Sequence, residues 1–226
     1  MKSLVFYSGG QNPGNSELHR VLVRLAQARR RPARSLTMTY VPFCTEGSRT
    51  FFYRAIRRYA PFGVIDFLCL DPEQNPSPLE IREALRSDIV YLAGGNTFFF
   101  LHQLRRLHML GPLREFVARG GVLAGLSAGA LIMTPTIELA GLRGLDPDPN
   151  DVGLRDHGAL GLVPFEFAPH FSPVDRVIRA LTRYSRGIRH PVYASRDGGG
   201  IVMEGRAISF IGPTWAFSRG SCVRLQ

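Results

Sequence analysis

A chain of 226 residues, 45% hydrophobic and 20% charged, can bury one substantial core, and residues 1–226 read as a single domain. The net charge of +10 is almost wholly arginine, because Lys2 is the only lysine, and its densest runs (Arg29-Arg30-Arg31 with Arg34, Arg57-Arg58, Arg105-Arg106) fall in or beside helix-like segments, where the first reading is a solvated helix face or end and the alternative an anion-binding role. No apolar run reaches about eighteen residues, no signal-type apolar segment follows Met1, and Cys44, Cys69 and Cys222 form neither CxxC pairs nor a disulfide framework, so the composition argues for a soluble, unexported, cytoplasmic protein with reduced thiols.

Ser3 to Ser8 reads as a first strand, Gly9 to Asn15 as a Gly-rich turn, and Ser16 to Ala28 as a helix with Leu18, Leu22 and Leu25 on one face. Leu36 to Pro42 is the next strand, Ser48 to Tyr59 a helix, Gly63 to Cys69 a strand and Pro78 to Arg86 a short helix. Asp88 to Ala93 is a buried strand running into Gly94-Gly95-Asn96. Helical patterning covers Thr97 to Leu107 and Pro112 to Arg119, followed by a strand at Gly121 to Gly125 and a helix starting near Ser127. Leu139 to Leu160, rich in Gly, Pro and Asp, reads as an irregular loop long enough to be functional. A helix at Pro173 to Tyr184 precedes three short strands, Gly200 to Met203, Ala207 to Ile211 and Trp215 to Ser218, which read as an antiparallel meander. Strands alternating with amphipathic helices predict an α/β fold with a mostly parallel sheet covered on both faces.

Gly125-Leu126-Ser127-Ala128-Gly129 is a G-x-S-x-G pattern set between a strand-type and a helix-type run. In that context the serine sits on a strained nucleophile elbow, its hydroxyl aimed over the strand ends and the Ala128 N–H facing the same space. A Gly-rich strand-to-helix turn could equally bind a phosphate or permit close packing. Gly94-Gly95-Asn96-Thr97 closes an adjacent buried strand, where ligands gather in open α/β sheets; an N–H from Gly95 would complete an oxyanion hole, while the alternative is an ordinary turn with Thr97 as helix cap.

These residues carry a resemblance. Ala93-Gly94-Gly95-Asn96-Thr97-Phe98, Gly125-Leu126-Ser127-Ala128-Gly129-Ala130, Pro169-His170-Phe171 and Gly212-Pro213-Thr214-Trp215 are together similar, in order and spacing, to the peptidase E (aspartyl dipeptidase, S51 type) family of serine peptidases, with cyanophycinases as more distant relatives. The resemblance implies a three-layer α/β/α sandwich akin to class I glutamine amidotransferases with a C-terminal antiparallel hairpin or meander. It also implies Ser127 as nucleophile and Gly95 with Ala128 as oxyanion hole.

A serine hydroxyl needs a histidine to take its proton and an acid to orient the imidazole. Of the six histidines, His19, His102 and His108 lie in helical segments upstream, whereas His170 ends the apolar run Leu162 to Ala168 and matches the family's histidine; His157 is the runner-up. The position matching the family's acid is Asp197, where the best-known members carry glutamate, and a turn-capping role is the alternative. The chain order Ser, His, Asp differs from the Ser, Asp, His order of α/β-hydrolases.

The resemblance implies hydrolysis of short peptides, dipeptides with N-terminal aspartate in the best-known members, with Asn96, Thr97 and Arg176 as candidate substrate contacts. Arg176 and Arg179 could pair with a carboxylate, or line a helix face. The expected partner is a small peptide, with no cofactor, metal, membrane or specific nucleic acid, and either monomer or homodimer. One rival is a catalytically idle form of the fold acting as a small-ligand binding protein; the other is a nucleic-acid or anion-binding module using the arginines, whose affinity would fall steeply with salt.

Overall fold

The computed structural model describes residues 2–9, 13–29, 35–43 and 47–226; Cys44, Arg30, Arg31, Arg34 and the middle of the Gly9 to Asn15 turn lie outside the described residues. The alternation read from the sequence is present as β1 (Ser3–Tyr7), α1 (Ser16–Gln27), β2 (Leu36–Val41), α2 (Ser48–Tyr59), β3 (Val64–Cys69), α3 (Pro78–Ala84), β4 (Ile89–Leu92), α4 (Thr97–Arg106), α5 (Leu110–Ala118), β5 (Val122–Leu126) and α6 (Ala128–Met133). β3, β2, β4, β5 and β1 lie side by side in that order, all parallel.

Period-two alternation explains why each central strand is a continuous apolar run. Leu4 and Phe6 of β1, with Val90 and Leu92 of β4, enter a core under α4, α5 and α6; Val5 and Tyr7, with Ile89 and Tyr91, enter the opposite core under α1 and α2. Covered on both faces, the strands are apolar at most positions; Thr39 of β2, also buried, donates its hydroxyl to Ala84 O at 2.6 Å.

The second half adds β6 (Glu166–Ala168), α7 (Asp175–Tyr184), β7 (Val192–Ser195), β8 (Gly200–Glu204), β9 (Ala207–Ile211), β10 (Thr214–Ser218) and β11 (Ser221–Arg224). The expected C-terminal strands are there, but they divide between two sheets. β8 pairs antiparallel with β1 and carries β9 at the edge of the main sheet, while β10 and β11 join β7 and β6 in a second sheet ordered β11-β10-β7-β6. The division follows from the Gly212-Pro213 turn: Gly212 at φ 74° redirects the chain, so that Thr214 meets Ser195 of β7 instead of turning back on β9. Of the apolar run Leu162 to Ala168 only Glu166–Ala168 is strand; Leu162, Val163 and Phe165 fill the core from bends beside Pro164.

The Leu139 to Leu160 stretch is irregular but bonded in place. A 3-10 turn at Glu138–Gly141 opens it, the Leu160 N–H returns to Ile132 O at 2.9 Å, and the Thr97 N–H at the head of α4 donates to Asp148 Oδ2 at 2.8 Å. No helix among the described residues is long and apolar enough to cross a membrane.

Candidate active site

Ser127 follows β5 with φ 49° and ψ −108°, a conformation that costs a non-glycine residue about 1–3 kcal/mol and persists only where its surroundings impose it. The surroundings are visible. The Ser127 N–H donates to Tyr7 O at 3.0 Å and the Gly129 N–H to Ala93 O at 3.1 Å, tying the turn to the ends of β1 and β4. Both motif glycines answer to close packing: a Cβ on Gly125 would lie 2.4 Å from the Gly129 carbonyl carbon, and one on Gly129 would lie 2.3 Å from Leu92 O. The helix α6 therefore rides directly on the strand backbones, and Ser127 is lifted over their carboxyl ends.

β6 and β7 are adjacent and parallel, with Ala168 opposite Ala194, so the residues following them emerge at the same end. That register brings His170 and Asp197 together from positions far apart in the chain. His170 Nε2 lies 2.8 Å from Ser127 Oγ, and His170 Nδ1 lies 2.8 Å from Asp197 Oδ1. Asp197 sits in the turn closed by the Gly199 N–H to Arg196 O bond, where the chain passes from β7 of one sheet to β8 of the other. His157 is elsewhere: its Nε2 faces Leu154 O at 3.2 Å and its ring lies edge-on to Phe98. His19 is buried against Tyr7 and Tyr59, and His190 pairs with the buried Glu166 at 2.9 Å.

Beside Ser127 opens a cavity of about 740 Å³, lined among others by Gly94, Gly95, Thr97, His170 and Arg176. The Gly94-Gly95 turn abuts the serine, since a Cβ on Gly94 would lie 3.3 Å from Ser127 Cβ. Among the described residues neither the Gly95 nor the Ala128 N–H donates a main-chain hydrogen bond outside helices and strands, and both belong to the turns around Ser127. Thr97 is buried at the cavity wall. Asn96 is engaged in the scaffold: its side chain caps α4 by accepting the Phe99 N–H at 2.9 Å and donates to Pro149 O at 2.7 Å. Arg176 lines the cavity, with no ion pair within 4.0 Å among the described residues, whereas Arg179 points away and pairs with Asp175 at 3.4 Å. Among the described residues no group of three or more His, Cys, Asp or Glu is arranged to hold a metal ion.

The profile of peptidase family S51 matches residues 4–211, from β1 to the end of β9. The chain belongs to peptidase family S51. It is 29% identical to an uncharacterized peptidase of Listeria monocytogenes over 179 residues, 76% of this chain and 84% of that protein. It is also 29% identical to peptidase E of Shigella sonnei over 177 residues, 75% of this chain and 69% of that enzyme. Identity rises to 38% with peptidase E of Salmonella arizonae over 99 residues, which span 42% of this chain and 38% of that enzyme. A Listeria monocytogenes crystal structure assigned to peptidase E superposes with a TM-score of 0.69 at 26% identity, over 93% of this chain and 98% of the other.

In this S51 peptidase the structure adds residues that sequence reading passed over. Arg54 and Arg58, one helical turn apart on α2, line the cavity with Phe51 and Ala55; for Arg58 this favours the alternative to the solvated face first read for the Arg57-Arg58 pair. The helical spacing of the four, Phe51 to Ala55 and Arg54 to Arg58 each at i, i+4 and each arginine three residues after one of the other two, was the available signal. Asp146 and Asp148 reach the cavity from the 139–160 stretch. Ser8 and Gly9, at the end of β1, stand behind His170 and Asp197. Ser8 Oγ accepts the His170 N–H at 2.7 Å and donates to Ser195 O at 2.7 Å, and a Cβ on Gly9 would lie 2.4 Å from Asp197 Cγ.

Proposed function

We propose that residues 1–226 act as one cytoplasmic serine peptidase unit that cleaves short peptides through Ser127, His170 and Asp197 by way of an acyl-enzyme. The observation that carries this reading is the run of two 2.8 Å contacts from Ser127 Oγ through the His170 imidazole to Asp197 Oδ1. In this reading His170 Nε2 takes the hydroxyl proton as Ser127 Oγ attacks the scissile carbonyl carbon. The carbonyl electron pair moves onto oxygen, where the N–H groups of Gly95 and Ala128 stabilise it. On collapse, His170 returns the proton to the leaving amine, and water releases the acyl group by the same steps in reverse. Asp197 accepts the Nδ1–H, fixing the tautomer that leaves Nε2 free to act as base.

The cavity supports a short, zwitterionic substrate. Arg54, Arg58 and Arg176 present cations to a carboxylate, Asp146 and Asp148 offer anions to an ammonium group, and Thr97 helps shape the wall between them. Asn96 serves the same site by holding the 139–160 stretch against α4. Dipeptides with N-terminal aspartate are one member of that class, and the relatives named peptidase E favour including them in a screen.

The test is hydrolysis of a dipeptide library, with fluorophosphonate labelling, by wild type and Ser127→Ala. Wild type is expected to turn over at least one dipeptide set and to be labelled. Ser127→Ala is expected to stay folded and lose about 10³-fold or more in kcat. Comparable turnover by the folded variant removes Ser127 from the reaction, and a wild type that neither labels nor hydrolyses leaves the fold as a small-ligand binder.

A further inference from the structure

The imidazole of His170 and the carboxylate of Asp197 each keep 52% of their side-chain surface exposed, so the packing around them leaves half of each free to move. Their 2.8 Å geometry must come from the backbone. Yet His170 stands in a left-handed conformation, φ 55°, just past a strand of three residues. A non-glycine residue holds such a conformation only where its neighbours impose it.

We propose that Ser8 is the positioning residue that imposes it, an inference that rests on the Ser127, His170 and Asp197 reading. Ser8 is fully buried at the end of β1. Its hydroxyl oxygen accepts the His170 N–H at 2.7 Å, and its proton goes to Ser195 O at 2.7 Å. Ser195 O also accepts the Phe171 N–H at 3.0 Å, closing a ring of hydrogen bonds around the backbone of His170. Asp197 Oδ1 lies 3.3 Å from the same hydroxyl, a longer contact that cannot claim the proton already given to Ser195.

The topology explains why a side chain makes this link. β1 belongs to the main sheet and β6 and β7 to the second, so no strand ladder joins the end of β1 to His170. A hydroxyl, donor and acceptor at once, bridges the two sheets at the point where the base must be fixed relative to Ser127. Ser127 is itself tied to β1 through Tyr7 O, the residue before Ser8. The end of β1 thus references the nucleophile's backbone and the base's backbone to one another.

The experiment is fluorophosphonate inactivation of wild type, Ser8→Ala, Ser8→Cys and Ser127→Ala, resolved into kinact and KI below each variant's melting temperature. Cysteine keeps a side chain of similar shape but accepts hydrogen bonds weakly, so both Ser8 variants remove the tether. Displacing the base is expected to lower kinact by about 10- to 100-fold with KI within about twofold, since misplacement costs the reacting geometry and not the binding. A purely structural role predicts wild-type kinact in any variant that remains folded. Wild-type kinact in folded Ser8→Ala, or in Ser8→Cys should the alanine variant not fold, overturns the proposal while leaving Ser127 in place. Labelling of Ser127→Ala at the wild-type rate overturns the underlying reading instead.

Discussion

Aspartate is one methylene shorter than the glutamate of the best-known family members, and Asp197 reaches His170 because its neighbour leaves it room. Gly9 has no side chain where a Cβ would fall 2.4 Å from Asp197 Cγ. It would also lie 2.8 Å from Asp197 Cβ, which no side-chain rotation moves, so Gly9→Ala is expected to displace the half-exposed carboxylate together with the turn that carries it and to spare the core. The melting temperature should hold within a few degrees while turnover falls at least about tenfold; an unchanged kcat would mean that Asp197 does not orient the base. Asp197→Asn keeps the shape, removes the charge and offers the imidazole the wrong partner, so kcat should fall by about 10²–10⁴-fold with folding nearly intact. Ser127, His170 and Asp197 were legible because each stands in a short motif whose order the family shares. Ser8 and Gly9 were not, because in the sequence they are only a small residue and a glycine ending a strand. Their importance lies in what approaches them from Ser195 and Asp197, a long way along the chain.

The elements most plainly written in the sequence are β4, β5 and α6, where an uninterrupted apolar run, a small-residue turn and a helical repeat agree. Their contact is backbone on backbone, and that makes it intolerant. A Cβ on Gly129 would lie 2.3 Å from Leu92 O, an atom held in the ladder between β4 and its neighbours, so Gly129→Ala must push α6 off the sheet. Overpacking of this kind costs about 1–3 kcal/mol or more, and the urea midpoint should drop accordingly, with activity falling because Ser127 stands immediately before that helix. A midpoint equal to wild type would show that α6 can slide without cost. The contrast with Gly9→Ala is the test of the two glycines' different duties. β6 and β7 were harder to read, since strands of three and four residues show no useful periodicity. β11 was missed altogether: Ser221–Arg224 is exposed throughout and carries none of the apolar alternation that marks a strand. The pairing of β10 with β7 is a decision between sheets, which local pattern does not encode.

Across the whole molecule, the main sheet separates two cores of different chemistry. The side under α4, α5 and α6 is aliphatic and phenylalanine-rich, while the side under α1 and α2 holds Tyr7, Tyr40, Tyr59 and Tyr91 together with His19. Three of those phenols share a hydroxyl-lined interior: Tyr59 donates to Tyr7 at 3.3 Å, and burial pushes Tyr7 and Tyr59 well above the ordinary tyrosine range and Tyr91 up to about 12. They stay neutral at any pH of interest. His19, placed 3.2 Å from the Tyr7 hydroxyl, is the titratable member of this cluster that matters near neutrality. Burial, reinforced by the positive charge of Arg58, lowers its pKa from 6.5 to about 3. The folded protein therefore holds His19 neutral, whereas the unfolded chain takes up a proton below about pH 6.5. Between pH 6.5 and 3 the unfolded state binds more protons, so this residue's contribution is fully present above about pH 6.5 and is lost as the pH falls. The loss is at most about 1.4 kcal/mol per pH unit. Carboxylates add their own acid dependence, but they are common to wild type and a His19 variant and cancel in the difference. His19→Phe keeps an aromatic ring between Tyr7 and Tyr59 and cannot titrate. Urea unfolding at pH 7 and pH 4.5 should then show wild type losing about 2 kcal/mol more than His19→Phe over that interval. Equal losses in the two proteins would mean that His19 is already accessible to protons in the folded state.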